Sequence, residues 1–227
     1  MTVSLLGDGI FLVAQAWQVH DLDNDPVALS LVGTAWTVGM VAFLLTGGTV
    51  SDRAERRRVL VAADLIRAAA LVGMGVLSVT GAVEIWHLVA LSLLIGAGEA
   101  FFGPAFGALV RDVVATEHLV QANALDQLVR QAAARLLGPA LGGAVVALVG
   151  PGTAFLVDAG TFLLSAACIA ALRVRSLTQA RARSTRRELR EGLRFVREQP
   201  WLWATLVSAS TGLPARASTR AWWSGAR

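Results

Sequence analysis

Lysine and tyrosine are absent from the 227-residue chain, and cysteine occurs once, at Cys168. A single thiol excludes an internal disulfide and any multi-cysteine metal site. Its position inside an apolar run fits a small packing residue. All 20 basic residues are arginine, a bias in keeping with GC-rich coding. Charge is scarce too: 16% of residues are charged, against about 25% in soluble domains, while 55% are hydrophobic. A mean hydropathy of +0.60 argues against a soluble protein. The three histidines, His20, His87 and His118, are scattered, so no nucleophile, base and orienter pair by spacing. A Walker-type phosphate loop is also missing. These absences point away from an enzyme and from any need for a cofactor.

The charges present are segregated. Residues 1–172 hold eight Arg and thirteen acids, whereas residues 173–227 hold twelve Arg and three Glu. The pI of about 11 is therefore a property of the tail. It does not indicate nucleic acid, whose recognition needs a basic face on a folded module, often with stacking aromatics.

About 20 apolar residues span the hydrocarbon core, and six such stretches are present, approximately 3–19, 27–48, 59–80, 86–109, 124–148 and 153–172. The first contains Ala14-Gln15-Ala16, which imitates a signal-peptidase site, but no basic region precedes it. It reads as a spanning helix whose shortness predicts an upstream start codon. Residues 20–26 carry three Asp and no Arg, 81–85 no Arg, and 150–152 no charge. The alternate loops carry Arg53, Arg56, Arg57 and Arg58, then Arg111 with Arg130, then nine Arg between 173 and 197. By the positive-inside rule, both ends of a six-helix unit face the cytoplasm, in the cytoplasmic membrane. Only helices or closed barrels satisfy the backbone in lipid, and these runs are too long and uniformly apolar for barrel strands. The predicted class is an all-α polytopic membrane protein with a six-helix bundle over 1–173. Residues 174–200 form a basic cytoplasmic linker, where Leu189, Leu193 and Val196 suit either an amphipathic surface helix or a solvated segment. Residues 201–227 begin a seventh apolar run that stops after about nine residues, followed by an aperiodic tail. This pattern predicts a truncated or out-of-frame ending.

The turn between helices two and three reads Gly47-Gly48-Thr49-Val50-Ser51-Asp52-Arg53-Ala54-Glu55-Arg56-Arg57-Arg58. Four arginines suit a generic cytoplasmic anchor, but an anchor does not require the Gly48 to Asp52 spacing. The pattern Gly48-x-x-x-Asp52-Arg53-x-x-Arg56-Arg57 resembles the loop signature of the major facilitator superfamily of secondary transporters, with Glu55 in place of the usual glycine. The resemblance implies that Gly48 permits close helix approach and that Asp52, Arg53, Arg56 and Arg57 form a gating charge network. Residues 4–9, 98–105 and 137–143 are similar to the drug- and siderophore-exporting branch, near enterobactin exporters and multidrug proton antiporters. Ser92 stands where many drug antiporters carry an arginine. The resemblance covers about 3–207 and implies the N-terminal half of a twelve-helix fold built from 3+3 inverted repeats. That fold exports a small organic molecule by alternating access in exchange for protons, its partners being the lipid bilayer and either a second copy or a missing C-terminal half. A different class remains open: a non-transporting six-helix interaction protein, or an inactive fragment.

An ionised group in mid-bilayer costs at least ~2.5 kcal/mol unless it meets water or a partner, so embedded charges should face the bundle interior. Asp8 shares a helical stripe with Ser4, Gln15 and Gln18. Glu99 shares one with Gly96, Gly103 and Gly107, where small residues allow close approach. Asp158, Thr161 and Ser165 form a third, and Asn123, Gln127 and Gln131 a fourth that leads to Arg135 and Gly138. Asp64 and Arg67, three apart, suit a structural pair. In the family's layout helices one and four line the central cavity, which implies that Asp8 and Glu99 face each other. These two and Asp158 are the candidate substrate or proton groups, with Arg135 as the local cation. Hydrogen bonding that fixes helix orientation would leave the same pattern. Gly138-Pro139-x-x-Gly142-Gly143 combines a proline kink with a Gly-xxx-Gly contact, suited to rocking or to generic close packing.

Overall fold

Asp25 sets the start of the second helix. Its carboxylate accepts the Val27 N–H at 2.9 Å, and Pro26 occupies the first helical position, where a missing N–H leaves no bond unmade. In the computed structural model, which describes residues 2–23 and 25–171, the elements are α1 (Thr2–Leu22), α2 (Pro26–Arg53), α3 (Arg56–Val79), α4 (Ile85–Val113), a 3₁₀ turn (Thr116–His118), α5 (Leu119–Ala132), a π turn (Ala133–Leu137) and α6 (Gly138–Ala171). Every element among the described residues is helical. They belong to one unit, Met1–Gln179; the predicted linker 174–200 and tail 201–227 lie outside the described residues.

Four helices among the described residues are long and apolar enough to cross a membrane: Pro26–Ser51, Arg56–Val79, Ile85–Arg111 and the 53-residue run Leu119–Ala171. This differs from the six separate spans expected. α1 falls outside the set because Asp8, Gln15 and Gln18 interrupt its apolar residues. The two spans expected at 124–148 and 153–172 follow one another directly, the helical backbone being interrupted at Gly150 (φ 81°, ψ 167°). Glycine alone adopts such a backbone readily, and Pro151 follows as a ready first residue for the next arm. The expected loop 150–152 is thus a one-residue break.

The break reverses the chain. An unbroken helix would put Gly142 and Asp158 about 24 Å apart at 1.5 Å per residue. Yet Gly142 lies against the Ile10 backbone, and Gly7, less than one turn of α1 away, lies against Asp158 and Thr161. The two arms of α6 therefore double back along α1.

α2 packs on α4, α1 on α6, and α3 on both α4 and α6. Helices in lipid gain little from burying apolar area against each other, so close backbone approach through small residues does much of the packing. A Cβ on Gly39 would strike the Leu93 carbonyl, one on Gly47 the Ala100 carbonyl, and one on Gly96 the Trp36 carbonyl. Pro104 has no N–H to offer Ala100 four residues earlier, so Gly47 approaches the carbonyl that the proline leaves without its helical donor. The close approach expected at Gly48 is thus made one residue earlier, and a Cβ on Gly48 would meet nothing within 4 Å among the described residues. Gly138 and Gly142 both touch α1, whereas Gly143 faces open space. The centre of the bundle is filled by Leu71, Met74, Leu88, Phe155 and Phe162, all 1% exposed or less.

Candidate functional site

Arg67 enters the bundle interior from α3, eleven residues after that helix begins, and only 4% of its side chain is exposed. Its Nη2 donates to Asp64 Oδ1 at 2.5 Å, one helical turn back on the same face. Its Nη1 donates to Glu99 Oε2 of α4 at 2.6 Å. The guanidinium carbon lies 4.4 Å from the centroid of Phe102, on α4, and 4.4 Å from that of Phe162, on α6. Both ring faces attract the cation, and charge-assisted bonds fix its fork at two ends. Three helices thus meet on one arginine.

Local sequence explains the fit. Glu99 and Phe102 lie three apart on α4, so a carboxylate and a ring project to one side. Gly98 precedes them, and a Cβ there would come within 2.6 Å of Arg67 Cγ. The Arg67 stem passes where Gly98 has no side chain.

Asp64 is fully buried, while the Glu99 side chain is 28% exposed. Glu99 is the open end of the network. It lines a cavity of about 10 Å³ with Ser4, Asp8, Arg67, Phe102 and Arg130. The structure therefore brings Asp8 and Glu99 to one cavity. Asp158 lies deeper, 1% exposed, and its Oδ1 accepts from the Thr161 hydroxyl at 3.0 Å. The buried Asp158 Oδ2, Asp64 Oδ2 and Arg67 Nε have no hydrogen-bond partner among the described residues.

Other expected residues fall differently. Ser4, Gln15 and Gln18 of the α1 stripe are buried. Gln15 Nε2 donates to Ser92 Oγ at 2.7 Å, so the serine that replaces an arginine becomes a tie between α1 and α4. The Ser78 hydroxyl donates to Gln18 Oε1 and ties α1 to α3. Asn123, Gln127, Gln131 and Arg135 are exposed, and the cations that line the acidic cavity are Arg67 and Arg130. In the sequence, Arg67 is spaced to pair with Asp64 and Arg130 belongs to the positive-inside pattern. The signal for Arg67 was its place well inside an apolar span, carrying a charge that needs more than one partner.

At the α2–α3 turn, Arg56 Nη1 donates to the Ala108 carbonyl of α4 at 3.3 Å, and Arg57 donates to the Ala170 carbonyl of α6. Glu55 adopts φ −61°, ψ 112°, a conformation any residue reaches, and pairs with Arg58 at 2.7 Å. This turn does not need the glycine that Glu55 replaces. The side chains of Asp52 and Arg53 lie outside the described set.

The arrangement of a half-open carboxylate, a second acid and a clamped arginine between apolar helices is suited to exchanging a proton within a membrane, the cavity being about the size of one water molecule. The chain is 33% identical over 208 residues to the multidrug efflux pump Tap of Mycolicibacterium fortuitum, covering 86% of this chain and 50% of that protein. It is 25% identical over 217 residues to the uncharacterized MFS-type transporter YfiS of Bacillus subtilis, covering 92% and 50%. It is 22% identical over 208 residues to macrolide efflux protein A of Streptococcus pyogenes, covering 90% and 51%. The chain spans about half the length of these curated relatives, which are transporters rather than enzymes. No solved structure matches it. The model of the family described as transmembrane secretion effector matches residues 1–221; with its apolar helices and its embedded charges, the chain is a multi-pass membrane protein that belongs to this family of the major facilitator superfamily.

Proposed function

We propose that the chain is the N-terminal half of a secondary efflux transporter. It exports a small organic molecule, a drug or a siderophore, across the cytoplasmic membrane by alternating access in exchange for protons. In this reading six helices cross the membrane, residues 119–149 and 151–171 being two crossings joined at Gly150. Both ends of the unit lie in the cytoplasm. The doubling back of α6 supports the crossing number, and the arginine-rich turns support the orientation.

The observation that carries the reading is the ion pair between Arg67 and Glu99, opening onto the cavity that Asp8 shares. Embedding such charges is costly, and simple packing does not call for a carboxylate that keeps one edge open. Such an acid can take up and release a proton or contact a substrate, and Asp8 and Asp158 extend the acidic path along α1 and α6. Arg135, on the exposed face of the π turn, is the cation this reading places toward a second half. The efflux names of the relatives support the direction of transport. In this fold the substrate site lies between two six-helix halves, so a second copy or a C-terminal half completes it. Arg56 and Arg57, bonded to α4 and α6, act with Asp52 and Arg53 as the cytoplasmic latch, and Gly138-Pro139-x-x-Gly142-Gly143 as the contact on which α6 rocks against α1.

The test is ethidium efflux from bacterial cells lacking their own pumps, with the chain expressed alone and together with the C-terminal half of a Tap pump. Energised efflux that a protonophore stops is expected in at least one of the two. Equal ethidium retention in both, with the chain present in the membrane, contradicts the proposal.

A further inference from the structure

We propose that Arg67 is the positioning residue of the transport site, acting through Glu99 and admitted to it by Gly98. The inference rests on the efflux reading above. Four contacts converge on this side chain: Asp64 at 2.5 Å, Glu99 at 2.6 Å, and the rings of Phe102 and Phe162 at 4.4 Å each. Their exposures differ in a telling way. Asp64 is closed off and Arg67 nearly so, its side chain 4% exposed where it borders the cavity, whereas Glu99 is 28% exposed. The buried members hold, and the half-open member acts.

Each contact has a separate task. Asp64 fixes one edge of the fork. The two rings fix its plane, which a planar, delocalised cation exploits and an ammonium does not. The bonded N–H then presents a fixed direction to Glu99, which lines a cavity together with Asp8 and Arg130. Gly98 makes this possible, since a methyl group there would come within 2.6 Å of Arg67 Cγ and 3.2 Å of both Arg67 Cδ and the Ala63 carbonyl. Cγ is the inner part of the stem, so an added methyl displaces the whole guanidinium. Arg67 thus couples α3 and α6 to an acid on α4.

The experiment is a double-mutant cycle on the full chain, in whichever of the two preparations above exports ethidium, with E99Q, R67Q, R67K, G98A and R67Q/E99Q. Melting temperatures of each purified variant in detergent are measured alongside, so that a variant that fails to fold is recognised. The expected result is a loss of at least tenfold in efflux rate for E99Q and for R67Q. R67K and G98A, which keep charge or leave Arg67 present, remain at least fivefold impaired, and R67Q/E99Q is no slower than E99Q alone. Losses of R67Q and E99Q that multiply in the double variant, or full rescue by R67K, overturn the positioning role and leave Arg67 a packing residue. Unchanged efflux in E99Q overturns the site assignment of the efflux reading itself, and the positioning role falls with it. Those outcomes are separate, because E99Q alone decides the first and the cycle decides the second.

Discussion

The carboxylate of Asp158 occupies the space that a side chain at Gly7 would need: a Cβ on residue 7 would overlap Asp158 Oδ1 and crowd the Thr161 hydroxyl. One residue before the acid of α1, a glycine makes room for the acid of α6. Gly7→Ala should therefore displace Asp158 and lower stability by about 1–3 kcal/mol, the usual cost of overpacking. Thermal unfolding in detergent reads this. An unchanged melting temperature would mean that Asp158 does not sit against α1.

The glycines of α2 and α4 separate into two groups. Gly39→Ala and Gly96→Ala drive a methyl group into the carbonyls of Leu93 and Trp36, and neither backbone can yield cheaply. Both variants should be clearly destabilised. Gly103→Ala meets nothing within 4 Å and gains helix propensity of up to about 1 kcal/mol, so its melting temperature should hold or rise. Equal losses at all three would contradict the α2–α4 packing.

Gly150 carries the chain reversal at φ 81°. Any L-residue there takes on left-handed strain of roughly 1–2 kcal/mol. Gly150→Ala should lower the melting temperature more than Gly160→Ala, which faces open space at ordinary helical dihedrals. The reverse order would count against a break at residue 150.

The tie between Gln15 and Ser92 is one hydrogen bond of 2.7 Å within the bundle. Interhelical bonds of this kind average about 0.6 kcal/mol in membrane proteins. A double-mutant cycle with Gln15→Leu and Ser92→Ala should return a coupling near that size, far below the effect of Gly39→Ala. A coupling of several kcal/mol would make Ser92 part of the charge network, which its geometry does not support.

Much of this was legible in the sequence, in physical terms that can be named. Helix positions followed from the length of apolar runs, and the inward faces of Ser4, Gln15, Gln18 and Asp158 followed from helical spacing together with the cost of polar groups in lipid. Periodicity says which residues share a face and nothing of what stands opposite. For that reason the Glu99 stripe of Gly96, Gly103 and Gly107 was readable as a unit, yet only Gly96 meets a neighbouring backbone, while Gly98, off that stripe, is the one that admits Arg67. Local spacing likewise paired Arg67 with Asp64 at i,i+3, but its second partner is 32 residues away on another helix. The break at Gly150 was marked by its glycine and proline, although the sequence predicted three loop residues where one suffices.

The most direct test of the account is proton movement. Everted membrane vesicles containing the exporting preparation are energised with ATP, internal acidification is followed with a pH-sensitive dye, and ethidium is then added. The account predicts that ethidium releases part of the stored proton gradient through the wild-type protein and not through E99Q. An undisturbed gradient in the wild type, with the protein present and ethidium efflux intact, would contradict proton exchange at Glu99.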